Sequence, residues 1–230
     1  MNVAVIGEGT LADATYANVS KHFVHSVRHV WPDADVVWMC YDVPFYANGA
    51  PDYGWAINEI EQQMERVSPW SLVLISSQLP VGTISNLERK YPKRHFAYTP
   101  ENVRVASAEL DFRTQARIIV GCRNLDKFRP RLSELLKPFT EIVLYTDPET
   151  AEMCKHALNA YLAMNIAFIN EIGRVAKAVD ADVDMISRAL LLERRVSPRA
   201  PLKAGAPFGG GHLARDLSTL DYISMLCDVK

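Results

Sequence analysis

The chain has 230 residues, 49% of them hydrophobic and 23% charged, enough apolar material to bury a core in one large domain or two small ones. A formal net charge of -2 at pH 7 gives no electrostatic drive toward nucleic acid or an anionic membrane. The four cysteines (Cys40, Cys122, Cys154, Cys227) are far apart with no C-x-x-C pair, which argues against zinc or a disulfide framework and fits a reduced, cytoplasmic setting.

The opening MNVAVIGEG lacks the charged start and long apolar stretch of a signal peptide, and no run approaches a membrane span, so a soluble intracellular protein is expected. Within it, VAVI (Val3–Ile6) reads as a first strand, followed directly by Gly7-x-Gly9-x-x-Ala12. That is the context of a dinucleotide fingerprint. The first glycine makes the tight turn, and the second lets a pyrophosphate approach a helix N-terminus. The fingerprint also wants an acidic residue ~20 positions further on to hold the ribose hydroxyls. Here that region is VHSVRHV (Val24–Val30), basic rather than acidic, so the adenosine half of the pocket is shortened or rebuilt. Arg28 near the ribose position leaves a phosphate-bearing cofactor open beside NAD. His22, His25 and His29 would fall on related faces of a helix, but no nearby carboxylate completes a metal site, and a partly solvated face is the reading.

Further β-branched runs follow: DVVWMC (Asp35–Cys40), SLVLIS (Ser71–Ser76), HFAY (His95–Tyr98), ARIIVG (Ala116–Gly121) and EIVLYT (Glu141–Thr146). They read as strands buried on both faces. Helix-like segments such as YGWAINEIEQQMERV (Tyr53–Val67) and LDKFRPRLSELLKPF (Leu125–Phe139) lie between several of them, which argues a parallel sheet with crossover helices. After Thr146 the pattern turns helical. Asp147–Asp180 has good helix formers, no proline after Pro148 at the first helical position, and Asp147 as cap. It is too apolar on several faces to be solvated, so a partner, such as a second copy of the chain, is expected to bury it. A helix at Asp182–Leu192, a Pro/Arg loop and a last helix in ARDLSTLDYISML complete the chain. The division expected is residues 1–146 and 147–230. Lys155 and Asn159 stand at i and i+4 on the long helix, where a lysine can serve as acid or base and an amide can orient a hydroxyl.

Together these stretches resemble the UDP-glucose/GDP-mannose dehydrogenase family. DADVVWMCYDVP is similar to the strand before that family's cofactor-contacting Thr-Pro turn, SSQLPVGT to its Ser-Thr-x-Pro-x-Gly segment, and TPENVRVASAELDF to its Asn-Pro-Glu-Phe segment. AEMCKHALNAYLAMNIAFINEIGRVAKAVDADV resembles the central dimerisation helix, and FGGGHLARD the Gly-Gly-x-Cys-x-x-Lys-Asp loop. The resemblance implies an α/β fold, with a Rossmann-like parallel-sheet domain followed by an all-helical dimerisation domain around a long central helix. It implies NAD or NADP, a small-molecule or sugar-nucleotide substrate, a homodimer, and no nucleic acid, membrane or metal. Carried over residue by residue, Glu101, Lys155, Asn159, His212 and Asp216 take catalytic positions. Gly7, Gly9, Thr10, Asp42 and Gln78 face the cofactor, and Asn102, Gly210 and Arg215 face the substrate.

Several positions depart from the family. Its nucleophilic cysteine falls on His212, its loop lysine on Arg215, the Ser-Thr threonine on Gln78, and a second glutamate on Val105. The family also continues into a third domain that holds much of the sugar nucleotide, so the resemblance is to a reduced form. The four-electron oxidation of an alcohol to a carboxylate traps the aldehyde on cysteine, and a histidine gives no comparable route. A single hydride transfer between alcohol and carbonyl is therefore expected, with Lys155, Asn159 and His212 handling the proton. If the chain is helical after Gly211, Asp216 could orient the His212 imidazole. A β-hydroxyacid-dehydrogenase-like activity and a non-catalytic relative with a binding or assembly role are the alternatives.

Overall fold

The computed structural model describes residues 1–29, 31–100, 107–208 and 211–228. It divides into two compact units, Met1–Lys155 and His156–Lys230.

The first unit is a seven-stranded sheet in the order β2-β1-β3-β4-β5-β6-β7. Its strands are β1 (Val3–Ile6), β2 (Ser26–Val27), β3 (Val36–Met39), β4 (Leu72–Ile75), β5 (His95–Tyr98), β6 (Ile118–Gly121) and β7 (Val143–Thr146). The helices around them are α1 (Thr10–His22), α2 (Tyr53–Gln63), α3 (Thr83–Lys90), α4 (Ala108–Arg113) and α5 (Leu125–Leu136). The alternation of side chains along a strand sorts the core into two layers. Val3 and Val5 join Leu11, Val19, Phe112, Phe128 and Leu132 from α1, α4 and α5 on one face. Ala4 and Ile6 join Ile60, Ile84 and Leu87 from α2 and α3 on the other. Both faces are covered, which is why β1, β3, β4 and β6 read as unbroken apolar runs rather than alternating ones. This is a doubly wound, Rossmann-like sheet.

Two features correct the sequence reading. The sheet is not wholly parallel, because β6 runs antiparallel to β5. The stretch from Val24 holds a strand, β2, which pairs parallel to β1 through two residues. So short an edge strand carries almost no apolar signal. For the same reason the three histidines share no helix: α1 ends at His22, and His25 packs beside Trp31 at a ring distance of 6.5 Å.

The long helix α6 (Pro148–Ala178) begins at the proline, and Asp147 Oδ1 accepts the Thr150 N–H at 2.8 Å as its cap. The second unit holds the rest of α6 with α7 (Val183–Leu192) and α8 (Gly211–Leu226). Asp182 caps α7 through the Asp184 and Met185 amides. Along α6, Tyr161, Met164, Phe168 and Val175 recur at helical spacing and are exposed.

Candidate active site

The turn after β1 is built by close approach. Gly7 has φ 140°, and a Cβ placed on it would stand 1.8 Å from the Cys40 carbonyl oxygen, so the loop between β1 and α1 passes the end of β3 with no room for a side chain. Gly9, at φ 95°, leads into α1. Its bare face is covered by Asp42, whose Oδ2 would lie 2.2 Å from a Cβ there. The same oxygen accepts the Thr10 N–H at 2.8 Å, and the Asp42 N–H donates to the Glu8 carbonyl at 3.3 Å. Gly7, Gly9 and Thr10 thus lie in a tight turn at the N-terminus of α1, the kind of backbone that can hold a diphosphate, and there the Asp42 carboxylate sits on the Thr10 amide. On the β2 side, Arg28 reaches back over the Tyr16 ring to Asp13 Oδ1 at 3.0 Å and to the Gly7 carbonyl at 3.4 Å. A guanidinium therefore stands on the side of β1 where the fingerprint wants an acid.

The carboxyl ends of β3 to β5 are tied together. Ser77 Oγ accepts the Tyr41 N–H at 2.8 Å, and the Tyr98 hydroxyl donates to the Ser77 carbonyl at 3.3 Å. Gln78, next in this turn, is buried. Beyond it, Glu152 of α6 is fully buried and accepts the N–H groups of Gly82 and Ile84 at 2.6 and 2.9 Å, capping α3 from a distance in sequence. Tyr41 is itself buried against Trp55, and that burial, with Glu59 and Glu8 near, pushes its hydroxyl up to about 12.

The second unit contains a buried polar cluster. Asp216 of α8 and His156 of α6 have no exposed surface, and Asp216 Oδ1 lies 2.7 Å from His156 Nδ1. The other Asp216 oxygen accepts from the Asn159 amide. Both oxygens of a carboxylate that water cannot reach are thus engaged, as burial demands. Asn159 and Arg215, beside Asp216, are buried too; Lys155, the last residue of the first unit and one turn before Asn159 on α6, is also buried. α8 does begin at Gly211, so His212 and Asp216 are one turn apart on it. The imidazole described on Asp216, however, is that of His156. That residue was legible in principle, since it stands between Lys155 and Asn159, three residues before the latter. Glu101, Asn102, Gly210 and the His212 side chain lie outside the described residues. Among the described residues no cluster of His, Cys, Asp or Glu could hold a metal, and no helix is long and apolar enough to cross a membrane.

Comparison with known proteins agrees with this architecture. Residues 1–140 match the model of the UDP-glucose/GDP-mannose dehydrogenase family, NAD binding domain, and residues 149–229 its central domain. The UDP-glucose 6-dehydrogenase TuaD of Bacillus subtilis is 29% identical over 228 residues, 95% of this chain and 49% of that protein. An uncharacterized protein of Methanocaldococcus jannaschii, MJ1054, is 32% identical over 85% of this chain and 23% of its own length. The structure of a UDP-glucose dehydrogenase from Pyrobaculum islandicum superposes with a TM-score of 0.80 at 19% identity, over 99% of this chain and 65% of that one. The chain spans about half the length, or less, of the curated relatives it matches. With both of its units matched in order, the chain belongs to the UDP-glucose/GDP-mannose dehydrogenase family.

Proposed function

We propose that this chain is a nicotinamide-dependent oxidoreductase that acts on a CH–OH group of a small or sugar-nucleotide substrate and moves two electrons rather than four. The observation that carries this reading is the fully buried Asp216 held between His156 and Asn159, in the helix that also buries Lys155. A buried polar network costs stability unless every member is satisfied, and such networks concentrate where chemistry is done. The nicotinamide, when bound, supplies the acceptor for the hydrogen and two electrons leaving the carbon. Gly7, Gly9 and Thr10 would hold its diphosphate. The chain's own task is the hydroxyl proton. In this reading Lys155 takes it, and Asn159, bonded to Asp216, orients the hydroxyl. The exposed Tyr161, Met164 and Phe168 on α6 support pairing of two copies along that helix.

The reading is tested by following nicotinamide reduction with UDP-glucose, GDP-mannose and free hydroxy acids, using the Lys155→Met and Asn159→Ala variants as controls. Turnover that stops at the carbonyl and is lost in both variants is the expected result. Turnover on hydroxy acids alone would move the substrate class to that of a β-hydroxyacid dehydrogenase. A folded protein that binds no nicotinamide nucleotide would end the reading. It would favour a non-catalytic relative, a role for which the carboxylate seated in the glycine loop is the specific observation.

A further inference from the structure

In open α/β sheets, ligands sit beyond the carboxyl ends of the strands, at the point where neighbouring strands lead the chain to opposite sides. With the order β2-β1-β3, that point lies between β1 and β3. Asp42 fills it. Its carboxylate takes the Thr10 amide and lies over the bare face of Gly9, while its main chain is pinned to Glu8. A dinucleotide diphosphate seeks the same two features, the first amides of α1 and the uncovered second glycine. Both are held by a group of the same charge sign as the diphosphate. Arg28, from the β2 side, is bonded to Asp13 and to the Gly7 carbonyl.

We propose that Asp42 is an internal occupant of the phosphate seat, capping α1 in the free protein and lowering affinity for any diphosphate-bearing nucleotide that must displace it. This rests on the reading of the loop as a dinucleotide site. The opposite role would be to accept hydrogen bonds from the ribose of a bound nucleotide, and the two roles differ in sign. Removing the charge tightens binding in the first case and weakens it in the second. Asp42→Asn suits the test, because its amide oxygen can still accept the Thr10 N–H and so keeps the cap.

The experiment is calorimetric titration of the wild type, Asp42→Asn and Asp42→Gly with NADH and, separately, with ADP-ribose, which carries the diphosphate without the nicotinamide. Circular dichroism checks that each variant is folded. Both variants are expected to bind both ligands at least about tenfold more tightly than the wild type, with the gap narrowing as added salt screens the exposed carboxylate. Equal or weaker binding by Asp42→Asn overturns the proposal. Tightened ADP-ribose binding without NADH binding keeps the proposal and removes the nicotinamide reading. Wild type binding NADH as tightly as the variants does the reverse, and no binding of either ligand by any folded form removes both.

Discussion

Glu152 offers the most direct test of how the sheet unit is held together. It is fully buried, and its carboxylate accepts two main-chain amides, Gly82 at 2.6 Å and Ile84 at 2.9 Å, at the N-terminus of α3. Hydrogen bonds to a charged group are worth about 1.5–3 kcal/mol each, and the positive end of the helix favours an anion there. Glu152→Ala removes the acceptor and strands both amides, so a loss of about 3–5 kcal/mol is expected. Glu152→Gln keeps the shape and one acceptor oxygen but turns its NH2 toward a donor, for a loss of about 2–3 kcal/mol. For a chain of this size 1 kcal/mol moves Tm by about 2–4 °C, so the alanine variant should melt roughly 6–20 °C lower. Urea unfolding with unchanged m-value would confirm that the native state alone lost stability. A loss below about 1 kcal/mol for Glu152→Ala would refute the argument that this carboxylate caps α3 from within the core.

Gly7→Ala drives a Cβ to within 1.8 Å of the Cys40 carbonyl, so it should cost more than about 4 kcal/mol or abolish folding. Gly54→Ala in α2, whose nearest neighbour would be 3.4 Å away, should instead add about 0.5–1 kcal/mol in the same unfolding assay. The Tyr41 hydroxyl ionises at about 12 in the fold against 10.0 for a free tyrosine. Its folded pKa is raised, so its contribution to stability is intact below pH 10 and is lost as pH climbs from there toward 12. Tyrosinate absorbance should include a late titration that Tyr41→Phe removes, and the same variant should flatten the alkaline loss of Tm. His156→Phe leaves the buried Asp216 without its imidazole and should cost about 3–5 kcal/mol, with Asp216→Leu restoring part of that loss in a double-mutant cycle. Additive losses would show that the pair is not coupled.

What the chain's own sequence determined was whatever depends on neighbours in sequence. β-branched runs marked six of the seven strands, Asp147 and Pro148 marked the start of α6, and Asp182 marked the start of α7. The glycine spacing after VAVI marked the tight turn into α1 because only glycine tolerates φ 95° beside a packed strand end. The edge strand β2, two residues long, was hidden because so little of it is buried. The antiparallel β6 was hidden because strand direction is set by connection geometry, not by composition. The candidate site divides the same way. Lys155 and Asn159 could be paired from helical spacing alone, whereas the His156–Asp216 contact spans 60 positions and exists only once α8 packs on α6. Asp42 shows the limit most plainly. Its place after the DVVWMC strand could be read from the sequence, but that its carboxylate seats itself on Thr10, 32 residues earlier, was decided by the approach of β3 to the glycine turn.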